Sequence, residues 1–162
     1  MVLSTLQTTG ILVGISYYIL TLRNQQKSQK HAEDTRQATL FMNIFKELLT
    51  GSEIMYLIMD MEYDDFEDFE HKYGRDNNPE ANNMITEHML LMEGIGVIVR
   101  EGYVSVRLVA LLTSGLVRIG WEKLRDYIYE MRKRAFPRWS IEYEYLYNTL
   151  LEYAEKHPEL EI

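Results

Sequence analysis

From residue 6 to residue 22 the chain carries no charged side chain, and from Gly10 onward nearly every residue is apolar. The run ends at Arg23-Asn24-Gln25-Gln26-Lys27-Ser28-Gln29-Lys30, which holds three positive charges and no acid. As a helix the run rises about 25 Å, and counted from Val2 roughly 31 Å, against a hydrocarbon core of ~30 Å. Ile11, Leu12, Val13, Ile15, Ile19, Leu20 and Leu22 surround such a helix on all sides, where a surface helix shows one apolar stripe. Tyr17 and Tyr18 precede Arg23 by about a turn, at the level of an aromatic belt. This predicts a single-pass transmembrane anchor over residues 1–23. The basic flank predicts a cell-membrane protein with its N-terminus outside and its C-terminal domain cytoplasmic. A cleavable signal peptide fits less well, because no basic residue precedes the run and no small-x-small cleavage site follows it. A buried helix of a soluble domain is the other competing reading.

The rest of the chain is balanced differently. Of 17 basic and 25 acidic residues, four and two fall in the first 39, so residues 40–162 carry 13 against 23, a net of −10. Such a domain is repelled by nucleic acid and by anionic lipid, apart from local basic patches. The absence of cysteine excludes disulfides, thiolate metal sites and a cysteine nucleophile. A length of 162 residues leaves room for one domain with a real core beside the anchor.

No segment alternates convincingly with period two, which predicts an all-α fold. Residues 24–39 read as a juxtamembrane helical extension of the anchor and residues 40–162 as a helical cytoplasmic domain. Leu40, Phe41, Ile44, Phe45, Leu48 and Leu49 form an i, i+4 stripe that ends at Gly51, and Ser52 caps a second helix. Residues 64–73 predict a short acidic helix stopped by Gly74. Asn78-Pro79 opens an apolar helix over residues 79–100. Ser105 caps a helix to residue 118, whose uncharged run over residues 108–117 is too short to span a bilayer. Trp121, Leu124, Ile128 and Met131 make the core face of a next helix, and Ser140 caps the last. The expectation is a bundle of about five or six helices after the anchor.

Several segments carry a family likeness. They are Thr9-Gly10-Ile11-Leu12-Val13-Gly14 with Tyr17-Tyr18-Ile19-Leu20, and Thr35-Arg36-Gln37-Ala38-Thr39-Leu40-Phe41-Met42. Further on come Tyr63-Asp64-Asp65-Phe66, Lys72-Tyr73-Gly74, Glu93-Gly94-Ile95-Gly96-Val97, Trp121-Glu122-Lys123 and Glu144-Tyr145-Leu146-Tyr147. In these the chain resembles an uncharacterised family of small bacterial and archaeal proteins with one N-terminal transmembrane helix and an all-helical cytoplasmic domain. The resemblance implies membrane localisation and an all-α domain. It implies no activity and no catalytic residues.

Four constellations could carry chemistry or recognition. Residues 60–70 hold seven acids. Asp60-x-Glu62-x-Asp64 starts like an EF-hand loop, but Asp65 stands where glycine is needed and His71 where a bidentate Glu belongs. The segment reads as a solvated acidic face or as a protein-docking patch of Asp64, Asp65, Phe66 and Phe69. No paired Glu-x-x-His motif of a di-iron bundle occurs. Arg132-Lys133-Arg134, with Arg138 and Trp139, reads as cations completing a helix C-terminus or as a lipid-facing patch. Gly10 and Gly14 form a GxxxG in the anchor, which permits a homodimer but is common by chance. Gly94 and Gly96 lie inside a helix at about 1 kcal/mol each, which predicts close approach of a neighbour, the Trp121 helix being the candidate.

No nucleophile–base pair, metal set or phosphate loop is visible, so no cofactor is expected, and the sequence weighs against an enzyme while leaving that question open. The expected function is a membrane-tethered helical interaction or scaffolding module with a protein partner. The alternative is a ligand-binding or enzymatic bundle with a site near Glu87, His88 and Glu93, beside Trp121. An apolar surface groove over a closed core favours the first, and a deep polar cavity around Glu93 the second.

Overall fold

A computed structural model describes the backbone of residues 2–50 and 52–160, and the side chains of residues 17–46 and 53–159. Among the described residues all regular structure is helical. The helices are α1 (Val2–Thr50), α2 (Ser52–Met59), α3 (Phe66–Tyr73), α4 (Pro79–Arg100), α5 (Val106–Arg134) and α6 (Ile141–Lys156), followed by a 3₁₀ turn at Pro158–Leu160. The chain divides into two compact units, Met1–Thr39 and Leu40–Ile162.

In the first unit Tyr17, Tyr18, Ile19, Leu20 and Leu22 are exposed. The polar stretch beyond them satisfies itself locally: the Thr35 hydroxyl donates to the His31 carbonyl at 2.8 Å and Thr39 to Thr35 at 2.9 Å. Among the described residues no helix is long and apolar enough to cross a membrane, so the transmembrane assignment finds no support in them. Of residues 6–16, the greater part of that run, with Gly10 and Gly14 among them, only the backbone is described, and Gly51 lies outside the described residues.

The second unit is built on α4, α5 and α6, with α2 and α3 packed onto them. On α4 the buried stripe is Ile85, Met89, Met92, Ile95 and Val99, and on α5 it is Val109, Thr113, Val117, Trp121, Leu124 and Ile128. Each recurs every three or four residues, the period that keeps one helix face turned to the core. Tyr143, Leu146 and Leu150 of α6 complete it, with Phe41, Ile58 and Phe69 from α1, α2 and α3.

Most helix starts follow local chemistry. Asn78 Oδ1 accepts from the Ala81 N–H at 3.2 Å, and Pro79 stands at the first helical position. Ser105 caps α5. At α3 the helix starts at Phe66, two residues later than the sequence predicts. Asp65 Oδ1 takes the Asp68 N–H at 2.9 Å and Asp68 Oδ2 takes the Asp64 N–H at 3.0 Å, so part of the acidic run is a cap. Lys72 then closes on Asp68 at 2.8 Å, which raises the ammonium and lowers the carboxyl from their ordinary values.

Two expectations are corrected. Residues 105–118 and the Trp121 helix are one continuous α5, because a lone Gly120 costs only about 1 kcal/mol and the buried stripe runs through it unbroken. Ser140 precedes α6 but makes no side-chain cap bond. Its backbone is left-handed, φ 53° and ψ 36°, whereas a capping serine needs extended backbone to reach the third N–H.

Candidate functional site

The cap missing at Ser140 comes from another helix. Glu93 of α4 is half-buried, and its Oε2 accepts the Tyr143 N–H at 2.8 Å, at the third position of α6. A carboxylate there also meets the positive end of the helix dipole. Gly96 lies one turn further along α4, where a Cβ would run into the backbone carbonyl of Glu142. The close approach predicted for the α4 glycines is therefore real at Gly96, but its neighbour is α6 rather than the Trp121 helix. Gly94 faces open space.

Behind this contact lies a buried polar link. His88 Nε2 is 3.1 Å from the Tyr143 hydroxyl, which donates to the Val117 carbonyl at 3.2 Å. Burial pushes the His88 imidazole down to about 4, so it is neutral near pH 7. Gly120 faces the pair: a Cβ there would strike His88 Nε2 and the Tyr143 hydroxyl. Trp121 packs edge-on against Tyr143 at 5.2 Å. His88 is thus enclosed, Glu87 is exposed and Glu93 is committed to the α6 cap, so the three do not converge on one cavity. No cluster of three His, Asp or Glu side chains placed to hold a metal occurs among the described residues.

The connector between α5 and α6 makes a different feature. Ala135 leaves the helix, and its N–H and that of Phe136 both return to the Met131 carbonyl. Arg132 then ties the far end. Its Nε donates to the Trp139 carbonyl at 2.7 Å, Nη2 to the Ser140 carbonyl at 3.0 Å, and Nη1 pairs with Glu144. Held this way, the connector and Met89, Leu90 and Glu93 of α4 enclose a largely apolar surface groove of about 600 Å³. Leu90 and Phe136 are exposed in it, and the Phe136 and Trp139 rings lie 5.4 Å apart. Trp139 Nε1 is the one buried side-chain polar atom without a hydrogen-bond partner among the described residues. Leaving such a donor unpaired costs about 1–3 kcal/mol.

The basic run is accordingly dispersed. Arg132 is an internal clamp, Lys133 pairs with Glu130 at 2.6 Å, and Arg134 pairs with Glu67 at 2.9 Å and covers the Phe66 ring. Arg138 and Trp139 line the groove. Lys133 and Arg134 line a second, strongly charged cleft of about 850 Å³ together with Asp64 and Asp65. Of the four acidic-segment residues, Asp64 is exposed and Asp65 is the α3 cap. Phe66 stacks on Tyr127 at 5.7 Å, and Phe69 is fully buried with its ring 3.9 Å from Tyr127, so Phe69 is not presented to a partner.

Sequence reasoning flagged the basic, aromatic run through Phe136, Arg138 and Trp139 but missed Leu90 and the strained Ser140. Leu90 carried a readable signal, because it falls off the stripe set by Ile85, Met89 and Met92. Comparison with protein-family models, with curated proteins and with solved structures gave no match to this chain.

Proposed function

We propose that this chain is a membrane-tethered helical interaction module, anchored by residues 1–23 with its N-terminus outside, that docks a protein partner in the cytoplasm through the α4–α5–α6 groove. The observation that carries the reading is the Trp139 groove. An unpaired indole N–H, an exposed Phe136 and a left-handed Ser140 stand together on one connector, facing the exposed Leu90 of α4 across the groove. Strain and unpaired polarity of this kind cluster where a fold serves something other than its own stability. The anchor rests on the uncharged run with its basic flank, and on the exposed Tyr17, Tyr18, Ile19 and Leu20. The resemblance to a membrane-anchored family points the same way.

The test places a photoreactive side chain at Leu90 in the full chain, with Glu155 on the outer face of α6 as control. Membranes are washed with carbonate before analysis. A protein adduct specific to position 90 in the washed pellet is the expected result. Release of the chain by carbonate removes the anchor, and adducts equal at the two positions remove the groove as a docking site.

A further inference from the structure

The first three turns of α5 are apolar on the wrong side. Val109, Thr113 and Val117 face the core. Opposite them, at 3.6 residues per turn, come Leu111, Leu112, Gly115 and Ile119. Leu111 and Leu112 are 50% and 41% exposed. Gly115 is exposed at the middle of this outward face, and a Cβ on it would meet nothing within 4 Å. A helix apolar all round is one covered on both faces.

The residues at its margin say what covers it. A lipid surface gains nothing from a glycine at the crest of an apolar face, whereas a second helix backbone can come closer there. Arg107 lies eight residues before Gly115 and Glu122 seven after it; both are exposed and neither makes an ion pair among the described residues. In an antiparallel pair of α5 helices crossing at Gly115, each stands about 11 Å from the crossing, so Arg107 of one copy meets Glu122 of the other, twice. We propose that α5 pairs antiparallel with α5 of a second copy of this chain, crossing at Gly115 and joined by two Arg107–Glu122 ion pairs. Leu111 packs on Ile119 across the crossing. The exposed Arg118 lays its stem over Leu112 of the second copy with its guanidinium in water. This surface is separate from the groove and does not depend on it.

The chain has no cysteine, so one introduced thiol reports the contact. Full-length Gly115→Cys in phosphatidylcholine proteoliposomes is oxidised and compared with Glu87→Cys, an exposed position on α4. The expected result is disulfide-linked dimer from position 115 in about fivefold excess over position 87. In the Gly115→Cys background, Arg107→Glu and Glu122→Arg each lower the yield about fivefold, and the two together restore it. Leu111→Lys, which leaves both charges in place, also abolishes the dimer, and circular dichroism checks that every variant is folded. Equal yields at positions 115 and 87 overturn the proposal. So do single charge changes without effect, which leave pairing to the anchor alone, and a double exchange that does not restore. A fluorophore on Leu111→Cys that enters a lipid environment at one chain per vesicle overturns it in favour of membrane contact.

Discussion

Burial holds the His88 imidazole at about 4 against an ordinary 6.5, and this ties stability to pH in a defined direction. Between those values the unfolded chain binds a proton at this residue and the folded chain does not, so stability falls as pH falls. From pH 7 to pH 5 the loss is about 2 kcal/mol, a window that lies above the range where carboxylates titrate. Denaturant melts across that range should show this slope, and His88→Gln should flatten it even if the variant is less stable throughout. Two neighbouring residues predict opposite signs. Glu93→Ala removes the one side-chain cap of α6 among the described residues and should cost about 1–2 kcal/mol. Ser140→Gly relieves a left-handed backbone whose side chain makes no cap bond, and should raise stability by about 0.5–1 kcal/mol. A Ser140→Gly variant that melts below the parent would show that the Ser140 side chain holds the connector in place.

Helix α4 shows what glycine does at two positions a few residues apart. A Cβ on Gly96 meets the Glu142 backbone, which cannot move aside without shifting α6. Gly96→Ala should therefore destabilise, the overpacking of about 1–3 kcal/mol exceeding the gain of about 1 kcal/mol in helix propensity. Gly94→Ala meets open space and should stabilise by up to about 1 kcal/mol. Thermal melts of the two variants should move in opposite directions; two shifts of the same sign would dispose of the α4–α6 contact. The element level also marks the limit of what could be read in advance. The starts of α4 and α5 were legible because Asn78-Pro79 and Ser105 act within one turn of themselves. The continuity of α5 was not, since the sequence reads as one helix to residue 118 and another carrying Trp121, and what Gly120 makes room for, His88 and Tyr143, lies far away in the chain. For the same reason the cap of α6 was assigned to Ser140, when the group that caps it lies 50 residues away at Glu93.

The two compact units pose the question of which part of the chain folds by itself. The candidate groove, the His88–Tyr143 link and the α4–α6 contact all lie within Leu40–Ile162. The groove was half legible: Phe136-Pro137-Arg138-Trp139 stood out as basic and aromatic, but its wall is Leu90, which only tertiary packing brings alongside. The apolar residues fully buried in the second unit come from every one of its helices, Phe41 and Ile58 from α1 and α2 as well as Ile95, Leu124 and Leu146 from α4 to α6. All of these core residues lie within Leu40–Ile162, and the described hydroxyl bonds of the first unit join residues four apart in the same helix. A fragment that begins at Arg36 keeps Phe41 with one turn of helix before it. It should be helical by circular dichroism, unfold in a single cooperative transition, and keep the His88 pH slope of the full chain. Loss of residues 1–35 should then move the melting temperature by no more than about 2–4 °C, the shift expected of roughly 1 kcal/mol in a chain of this size. Such a fragment should also stay soluble after a carbonate wash that leaves the full chain in the pellet. A broad, non-cooperative melt would mean that the first unit or a partner completes the core, and the division at Leu40 would then be one of contact density rather than of folding.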